Sequence, residues 1–155
     1  MFDIAEDRED QGQGQAPTIK QLSVFLPNRV GALLSVTRCL DAYAIRVCAL
    51  SIQDSADHAV LRLVVDRPGL AHEALVTEGY SVFEAELLGV QLAERGIRAV
   101  LSALLMAELN VHYVYPLIAR EHESSVVAIH VEDVESAVRV LNEAEMPLID
   151  QRYLE

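Results

Sequence analysis

Two alternating stretches, each followed by a glycine, determine how this chain is organised. The stretch Leu22-Ser23-Val24-Phe25-Leu26 leads to Gly31, and Leu88-Gly89-Val90-Gln91-Leu92 leads to Gly96. In both, an apolar residue occupies every second position, which is the period of a half-buried strand. The same spacing of about 66 residues recurs further along the chain in the pairs Val60 and Val126, Leu61 and Val127, Leu63 and Ile129, Leu75 and Leu141, and Val82 and Leu148. The chain is therefore a duplication.

The two copies differ in length at two places. Between the matching ends the spacing falls by about two residues, because Val36 and Leu40 align with Val100 and Leu104. The second copy has therefore lost about two residues in the loop after its first strand and regained about two in its central hairpin.

Each copy alternates strand-like and helix-like periods in the order β, α, β, β, α, β. In the first copy we predict strands at Ile19–Leu26, Ile45–Gln53, His58–Asp66 and Tyr80–Glu86, and helices at Ala32–Ala42 and Pro68–Gly79. In the second copy we predict strands at Leu87–Leu92, Asn110–Ala119, Ser125–Val131 and Leu148–Leu154, and helices at Ile97–Glu108 and Asp133–Ala144.

This order of elements predicts an α+β fold made of two ferredoxin-like βαββαβ repeats. Each repeat is an antiparallel sheet with both helices on one face, because right-handed β-α-β crossovers place their helices on the same side. We expect a disordered acidic tail at 1–17 and repeats at 18–86 and 87–155. A repeat of this size is marginal alone, so we expect the copies to pack together or extend each other's sheets.

Charge excludes several classes of partner. The formal charge of −12 repels phosphate backbones and anionic membrane surfaces, so we expect neither nucleic acid nor membrane as a partner. The N-terminus is acidic rather than basic, and no apolar stretch of about 20 residues follows. We therefore expect a cytoplasmic protein.

Sequence motifs for metal binding and catalysis are missing. Cys39 and Cys48 have no CxxC spacing, and we expect both to be buried thiols in a helix and a strand. His112 and His130 are expected to approach each other across one hairpin, without further ligands for a metal. The sequence has no GxSxG, phosphate-binding or HExxH motif. We expect no metal, no cofactor and no catalytic activity. The expected central strands, Lys20 to Leu26 and His58 to Val65, also lack the paired aromatic and basic residues of an RNA-binding module.

Four segments resemble one family of ferredoxin-like proteins. They are Leu26-Pro27-Asn28-Arg29-Val30-Gly31-Ala32-Leu33, Ala49 to Asp57, Leu61 to Asp66, and Asn110-Val111-His112-Tyr113-Val114-Tyr115. These segments look like the stand-alone tandem ACT proteins of bacteria, and the resemblance extends from Ile19 to Leu154. The chain is also similar to the ACT domains of acetolactate synthase regulatory subunits.

The resemblance implies a non-catalytic protein that senses an amino acid at an interface between two domains. It also implies assembly into a homodimer or a higher homo-oligomer. An alternative is a regulatory subunit that docks on an amino-acid biosynthetic enzyme such as acetolactate synthase.

The turn from the first strand into the first helix has the chemistry to bind an α-carboxylate. Amides at Gly31, Ala32 and Leu33 are unpaired donors at a helix N-terminus, where the helix dipole favours an anion. Glycine lets a ligand approach the backbone, and Asn28 can both donate and accept. By spacing alone the same residues also fit an ordinary turn and cap. Arg29 and Val30 are neighbours in this loop, and Val30 stands where the family has proline.

Each copy keeps one half of the family's site. Glu94 stands in the second loop where Asn28 stands in the first, while Asn110 of the second copy corresponds to Arg46 of the first. We therefore hypothesise one working site per chain, in which Gly31 and its loop face Asn110. The opposite combination could close as a Glu94–Arg46 salt bridge. The alternative is two independent, degraded copies.

Overall fold

The computed structural model describes residues 15–27, 30–118 and 124–155. The first repeat contains β1 (Ile19–Pro27), α1 (Ala32–Ala42), β2 (Val47–Asp54), β3 (His58–Val65), α2 (Pro68–Thr77) and β4 (Ser81–Gln91). The second contains α3 (Gly96–Met106), β5 (Val111–Pro116), β6 (Val126–Val131), α4 (Val134–Glu143) and β7 (Leu148–Ile149). Most of the predicted tail lies outside the described residues. None of the described helices has the length and apolar character needed to cross a lipid bilayer.

The strands form one curled antiparallel sheet in the order β2-β3-β1-β4-β6-β5, with β7 also paired to β4. Within each repeat this is the ferredoxin-like order, so the predicted fold is confirmed. The two ends of the sheet approach each other, since the Ile118 amide donates to the Cys48 carbonyl over 2.7 Å.

The last strand of the first repeat and the first strand of the second are one continuous strand, β4. Its early residues pair with β1, where Ser81 lies opposite Phe25, and its late residues pair with β6, where Leu88 lies opposite Ile129. The prediction of two separate strands was wrong, because no turn residue interrupts the chain near Glu86 and Leu87. The expected boundary between the repeats therefore lies inside a strand.

Matching positions of the two copies are buried together. The buried pairs are Leu22 and Leu88, Val24 and Val90, Val36 and Val100, Leu40 and Leu104, Leu63 and Ile129, and Leu75 and Leu141. These pairs confirm the duplication and its change of spacing. The helices α1 and α3 also end alike, each followed by a residue of positive φ, Ala44 at 52° and Glu108 at 57°.

Three apolar cores hold the described residues together. One lies under α1 and α2, and a second lies under α3 and α4. The third lies between the repeats, on the faces of the sheets turned away from the helices, and includes Val64, Tyr115, Val126 and Ala128. The expectation that the copies pack together is confirmed.

A buried glutamine joins the two repeats at this third core. Gln21 on β1 donates from Nε2 to the Tyr113 hydroxyl over 2.8 Å and accepts at Oε1 from the Tyr115 hydroxyl over 2.7 Å. Both tyrosines lie on β5, so the bonds fix one sheet against the other. Burial, followed by the charge of Tyr113, raises the pKa of the Tyr115 hydroxyl.

The predicted last strand, Leu148–Leu154, is shorter than expected. Only Leu148 and Ile149 pair with β4, and a 3₁₀ turn follows at Gln151–Leu154. Asp150 causes the change, because its carboxylate accepts from the Arg152 amide over 3.0 Å and pairs with the Arg152 guanidinium over 2.6 Å. Such a local side-chain bond competes with the strand ladder.

Candidate functional site

The first candidate region is the junction between β1 and α1. Gly31 has φ of 85°, in the left-handed region, and α1 begins at the next residue. A Cβ at Gly31 would meet nothing within 4 Å, so the glycine is needed for conformation rather than for packing space. Its carbonyl accepts from the Ser35 amide over 3.0 Å and from the Ser35 hydroxyl over 3.1 Å.

An open groove of about 460 Å³ lies at this N-terminus of α1. It is lined by Gly31, Ala32, Leu33, Leu34 and Thr37. Gly31 has no side chain to cap the helix, and the first turn of α1 carries no acidic residue. The first amides of a helix have no intrahelical acceptor, so this end of α1 offers donors and the positive end of a dipole to an anion.

The structure brings Gly31, Ala32 and Leu33 together in the groove, as the sequence suggested. Ala32 and Leu33 also pack against the first core, which fixes the direction of α1. Val30 is fully exposed beside them. Asn28 and Arg29 lie outside the described residues, so their predicted roles stay predictions.

Sequence reasoning missed Leu34 and Thr37 as lining residues. Thr37 follows Leu33 by one helical turn, and this spacing could have indicated that it lies on the same side of α1. Its hydroxyl donates to the Leu34 carbonyl over 2.9 Å. The groove is therefore mainly apolar beyond the helix N-terminus.

The corresponding loop of the second repeat is closed by its own backbone. A short 3₁₀ turn at Ala93–Arg95 precedes α3, and the Gly96 amide donates to the Leu92 carbonyl over 3.2 Å. Glu94 is exposed in this turn, where its carboxylate would oppose a bound anion. This loop therefore differs from the first in both geometry and charge.

Backbone hydrogen bonds support the alignment of Arg46 with Asn110 as equivalent positions of the two repeats. The Arg46 carbonyl accepts from the Asp66 amide over 3.1 Å, and the Asn110 carbonyl accepts from the Glu132 amide over 3.0 Å. Asn110 is exposed. The Arg46 guanidinium donates to the Leu154 carbonyl. Among the described residues Arg46 forms no salt bridge with Glu94, so the predicted closing pair is absent within a protomer.

Gly31 and Asn110 do not meet within one protomer. Gly31 follows the end of β1 that lies opposite Ser81, the first residue of β4. Asn110 precedes β5 beside the end of β6, which lies opposite the second half of β4. At about 3.3 Å per residue, the positions of Gly31 and Asn110 projected on β4 are roughly 20 Å apart along that strand. The composite site stays a prediction for an interface between protomers.

A stack of planar side chains lies at the edge of the third core. The Arg62 guanidinium carbon is 3.9 Å from the centre of the Tyr113 ring, Tyr113 stacks on His130 at 4.7 Å, and His130 lies 5.1 Å from His112. The predicted approach of the two histidines is confirmed. Burial, then His112 and Arg62, lower the pKa of His130. The described residues contain no cluster of three or more His, Cys, Asp or Glu side chains suited to a metal.

Comparison with known proteins agrees with this architecture. A protein of Bacteroides thetaiotaomicron is similar at 29% identity, over 90% of this chain and 96% of that one, with a TM-score of 0.81. The ligand-free regulatory subunit of aspartate kinase from Thermus thermophilus is similar at 20% identity, over 83% and 93% of the chains, with a TM-score of 0.57. The regulatory subunit from Thermus flavus is similar at 16% identity, over 83% and 94%, with a TM-score of 0.54. The two Thermus proteins share the fold alone. A search among curated proteins finds no significant match.

Two fused ferredoxin-like repeats define a small tandem-repeat protein, in which the uncapped start of α1 opens into a groove. The sequence profile of the ACT domain pair matches residues 17–155. The chain therefore belongs to the family of ACT domain pairs, as its sequence resemblance indicated. ACT domains are regulatory domains that bind amino acids.

Proposed function

We propose that this protein binds a free amino acid where β1 meets α1 and acts through binding, without catalysis of its own. The uncapped N-terminus of α1, which opens into the groove beside Gly31, supports this proposal most directly. Its amides suit an α-carboxylate. Leu33 and Leu34 provide apolar surface for the side chain of the ligand. The cytoplasmic location expected from the sequence is part of the proposal.

A thermal-shift screen of the twenty amino acids at millimolar concentration tests this function. A ligand at one hundred times its Kd stabilises the fold by about 2.7 kcal/mol. For a chain of this size, that corresponds to a rise in Tm of roughly 5 to 10 °C. If none of the amino acids changes Tm beyond the experimental scatter, the binding proposal is wrong.

A pair of variants at Gly31 locates the site. Aspartate and asparagine both tolerate left-handed backbone, so both should keep the start of α1. Only Gly31→Asp places a negative charge near the bound carboxylate. Two like charges about 4 Å apart repel by about 1 to 4 kcal/mol at an exposed site. We expect Gly31→Asp to bind at least about fivefold more weakly than Gly31→Asn. Equal affinity of the two variants would place the ligand elsewhere.

A second candidate function is regulation of a biosynthetic enzyme by docking. Phe25 and Phe83 form an edge-to-face pair with ring centres 5.4 Å apart, and both are exposed. Phe25 alternates with the buried Leu26 and Val24, so the pair lies on the sheet face turned away from the helices. A paired exposed aromatic surface is typical of an interaction site. The enzyme would be one of amino-acid synthesis, such as acetolactate synthase.

Affinity purification from the native cell, followed by mass spectrometry, tests the docking function. Wild-type protein should retain an amino-acid biosynthetic enzyme that the Phe83→Asp variant loses. An exposed position of this kind tolerates aspartate with little loss of stability, so Phe83→Asp tests the aromatic surface without disrupting the fold. If both proteins retain the same enzyme, the aromatic pair is not the docking surface.

A further inference from the structure

The planar side chains stacked at the edge of the third core come from both repeats. Arg62 lies on β3 of the first repeat, and its guanidinium lies over the ring of Tyr113 on β5 of the second. Tyr113 also stacks on His130 of β6, and its hydroxyl accepts from Gln21 of β1. Two strands of the first repeat therefore hold one tyrosine of the second, and this tyrosine attaches β5 to the first repeat.

The fold does not require titratable side chains at these positions. The second strand of each repeat has a bulge at its start, where Cys48 is the extra residue in the first repeat and His112 in the second. The position of His130 is occupied in the first repeat by Val64. Cys48 and Val64 are both buried in the third core. The second repeat thus places two imidazoles where the first has apolar packing.

The surroundings of His130 fit a neutral ring only. Its Nδ1 atom is buried and has no hydrogen-bond partner among the described residues. A neutral imidazole can leave this nitrogen as a bare acceptor, whereas an imidazolium carries a proton on both nitrogens. Protonation would therefore create a buried N–H donor that has no acceptor, which is unfavourable unless the ring moves.

The charged groups around His130 act in the same direction. The Arg62 guanidinium reaches the stack from β3, and the His112 ring on β5 has its centre 5.1 Å from the centre of the His130 ring. Glu132, just beyond the end of β6, is exposed. Within the part of the chain that the structure describes, neither histidine forms a salt bridge with a carboxylate. The remaining polar groups of the stack and its bonds are uncharged in acid, namely Gln21, Tyr113 and Tyr115.

The strand that carries Tyr113 also closes the curled sheet. In the strand order β2 and β5 are the two ends, and the Ile118 amide after β5 donates to the Cys48 carbonyl of β2. Among residues 15–27, 30–118 and 124–155 this is the one backbone hydrogen bond between the two ends. Strands at the end of a sheet have unpaired backbone groups. Release of Tyr113 would therefore free β5 and expose both sheet edges.

We propose that His130 is an acid-sensitive latch, whose protonation releases Tyr113 from the first repeat and opens the sheet between β2 and β5. The latch goes beyond amino-acid binding and does not depend on it. Neutral His130 supports Tyr113 between Arg62 and Gln21. The imidazolium leaves the stack for solvent, because its buried nitrogen needs an acceptor and because Arg62 repels it. The open form takes up the proton more readily, so its population rises as pH falls. The two cores under the helices contain no histidine and stay folded.

NMR spectroscopy between about pH 7.5 and 5 tests the latch, because histidine rings titrate in this range. The ring signals of His130 report its protonation. Over the same interval the protection factor of the Ile118 amide against solvent exchange should fall at least about tenfold, with the same midpoint. A protection factor that stays constant while His130 takes up its proton would overturn the latch.

Two matched variants assign the effect to one ring. His130→Phe keeps a planar side chain in the stack but takes up no proton, so the protection of the Ile118 amide should no longer change with pH. His58→Phe removes a different histidine, which lies beside Phe25 on the first sheet, and should keep the wild-type fall. If His130→Phe shows the same fall as wild-type protein, His130 is not the latch.

Discussion

Replacing Gln21 by methionine will loosen the contact between the two repeats. Methionine preserves the length of the side chain but removes both the donor to Tyr113 and the acceptor for Tyr115. Tyr113 is half-buried and can bond water instead, whereas Tyr115 is buried and its hydroxyl would be left without a partner. An unsatisfied buried group costs about 1 to 3 kcal/mol, so we expect a loss of about 2 kcal/mol in the free energy of unfolding.

A double-mutant cycle separates this bond from general packing. Tyr115→Phe leaves the buried Gln21 carbonyl oxygen without its donor, and we expect it to cost about 1 to 2 kcal/mol. The variant with both changes leaves neither partner unsatisfied, so it should cost about 1 to 2 kcal/mol less than the sum of the single changes. Urea unfolding at pH 7 measures all four proteins. Ser23→Ala is the matched control, because Ser23 accepts a longer bond of 3.2 Å from the same amide. If the two single changes simply add, Gln21 and Tyr115 do not act as a pair.

Three further predictions concern stability. Gly89→Ala should cost about 1 to 3 kcal/mol, because its Cβ would collide with the Ile149 side chain, and Ile149→Ala in the same chain should recover part of the loss in urea unfolding. The pKa of His130 is lowered in the folded state, so as pH falls below about 6.5 this histidine takes up a proton more readily in the unfolded chain, and the free energy of unfolding declines. His130→Phe should flatten this decline when unfolding is measured across acid pH. The pKa of Tyr115 is raised, so its contribution is complete below about pH 10 and is lost as pH rises further, and Tyr115→Phe should reduce that alkaline loss.

Most of the fold could be predicted from hydrophobic periodicity. The helix at Ala32–Ala42 has the predicted bounds, since Gly31 marks its start and Val36 and Leu40 mark its buried side. The sequence pattern predicts two strands where the structure has the single strand β4. The run from Ser81 to Gln91 contains no proline, and Gly89 is its one glycine. The early stop of the last strand depends on a bond between Asp150 and Arg152 that no periodic pattern reports.

The site could be predicted only in part. The open helix start at Gly31 could be predicted because glycine before a helix has a local chemical meaning. The distance between Gly31 and Asn110 could not be found, because it depends on the order of strands across the sheet and on the direction of β4. Local sequence determines a helix end, whereas the placement of two distant loops depends on how the whole sheet assembles.

The continuous strand β4 also explains where the two copies were free to diverge. Side chains alternate between the two faces of a strand, so one residue inserted near Glu86 would turn Leu88 and Val90 from the helix-side core to the opposite face. Every later pairing with β6 and β7 would shift with them. The changes in length between the copies instead occur in the loop before the first helix and in the central hairpin. The join inherited from the duplication has thus become a position where insertions and deletions are forbidden, while loops far from it have changed freely.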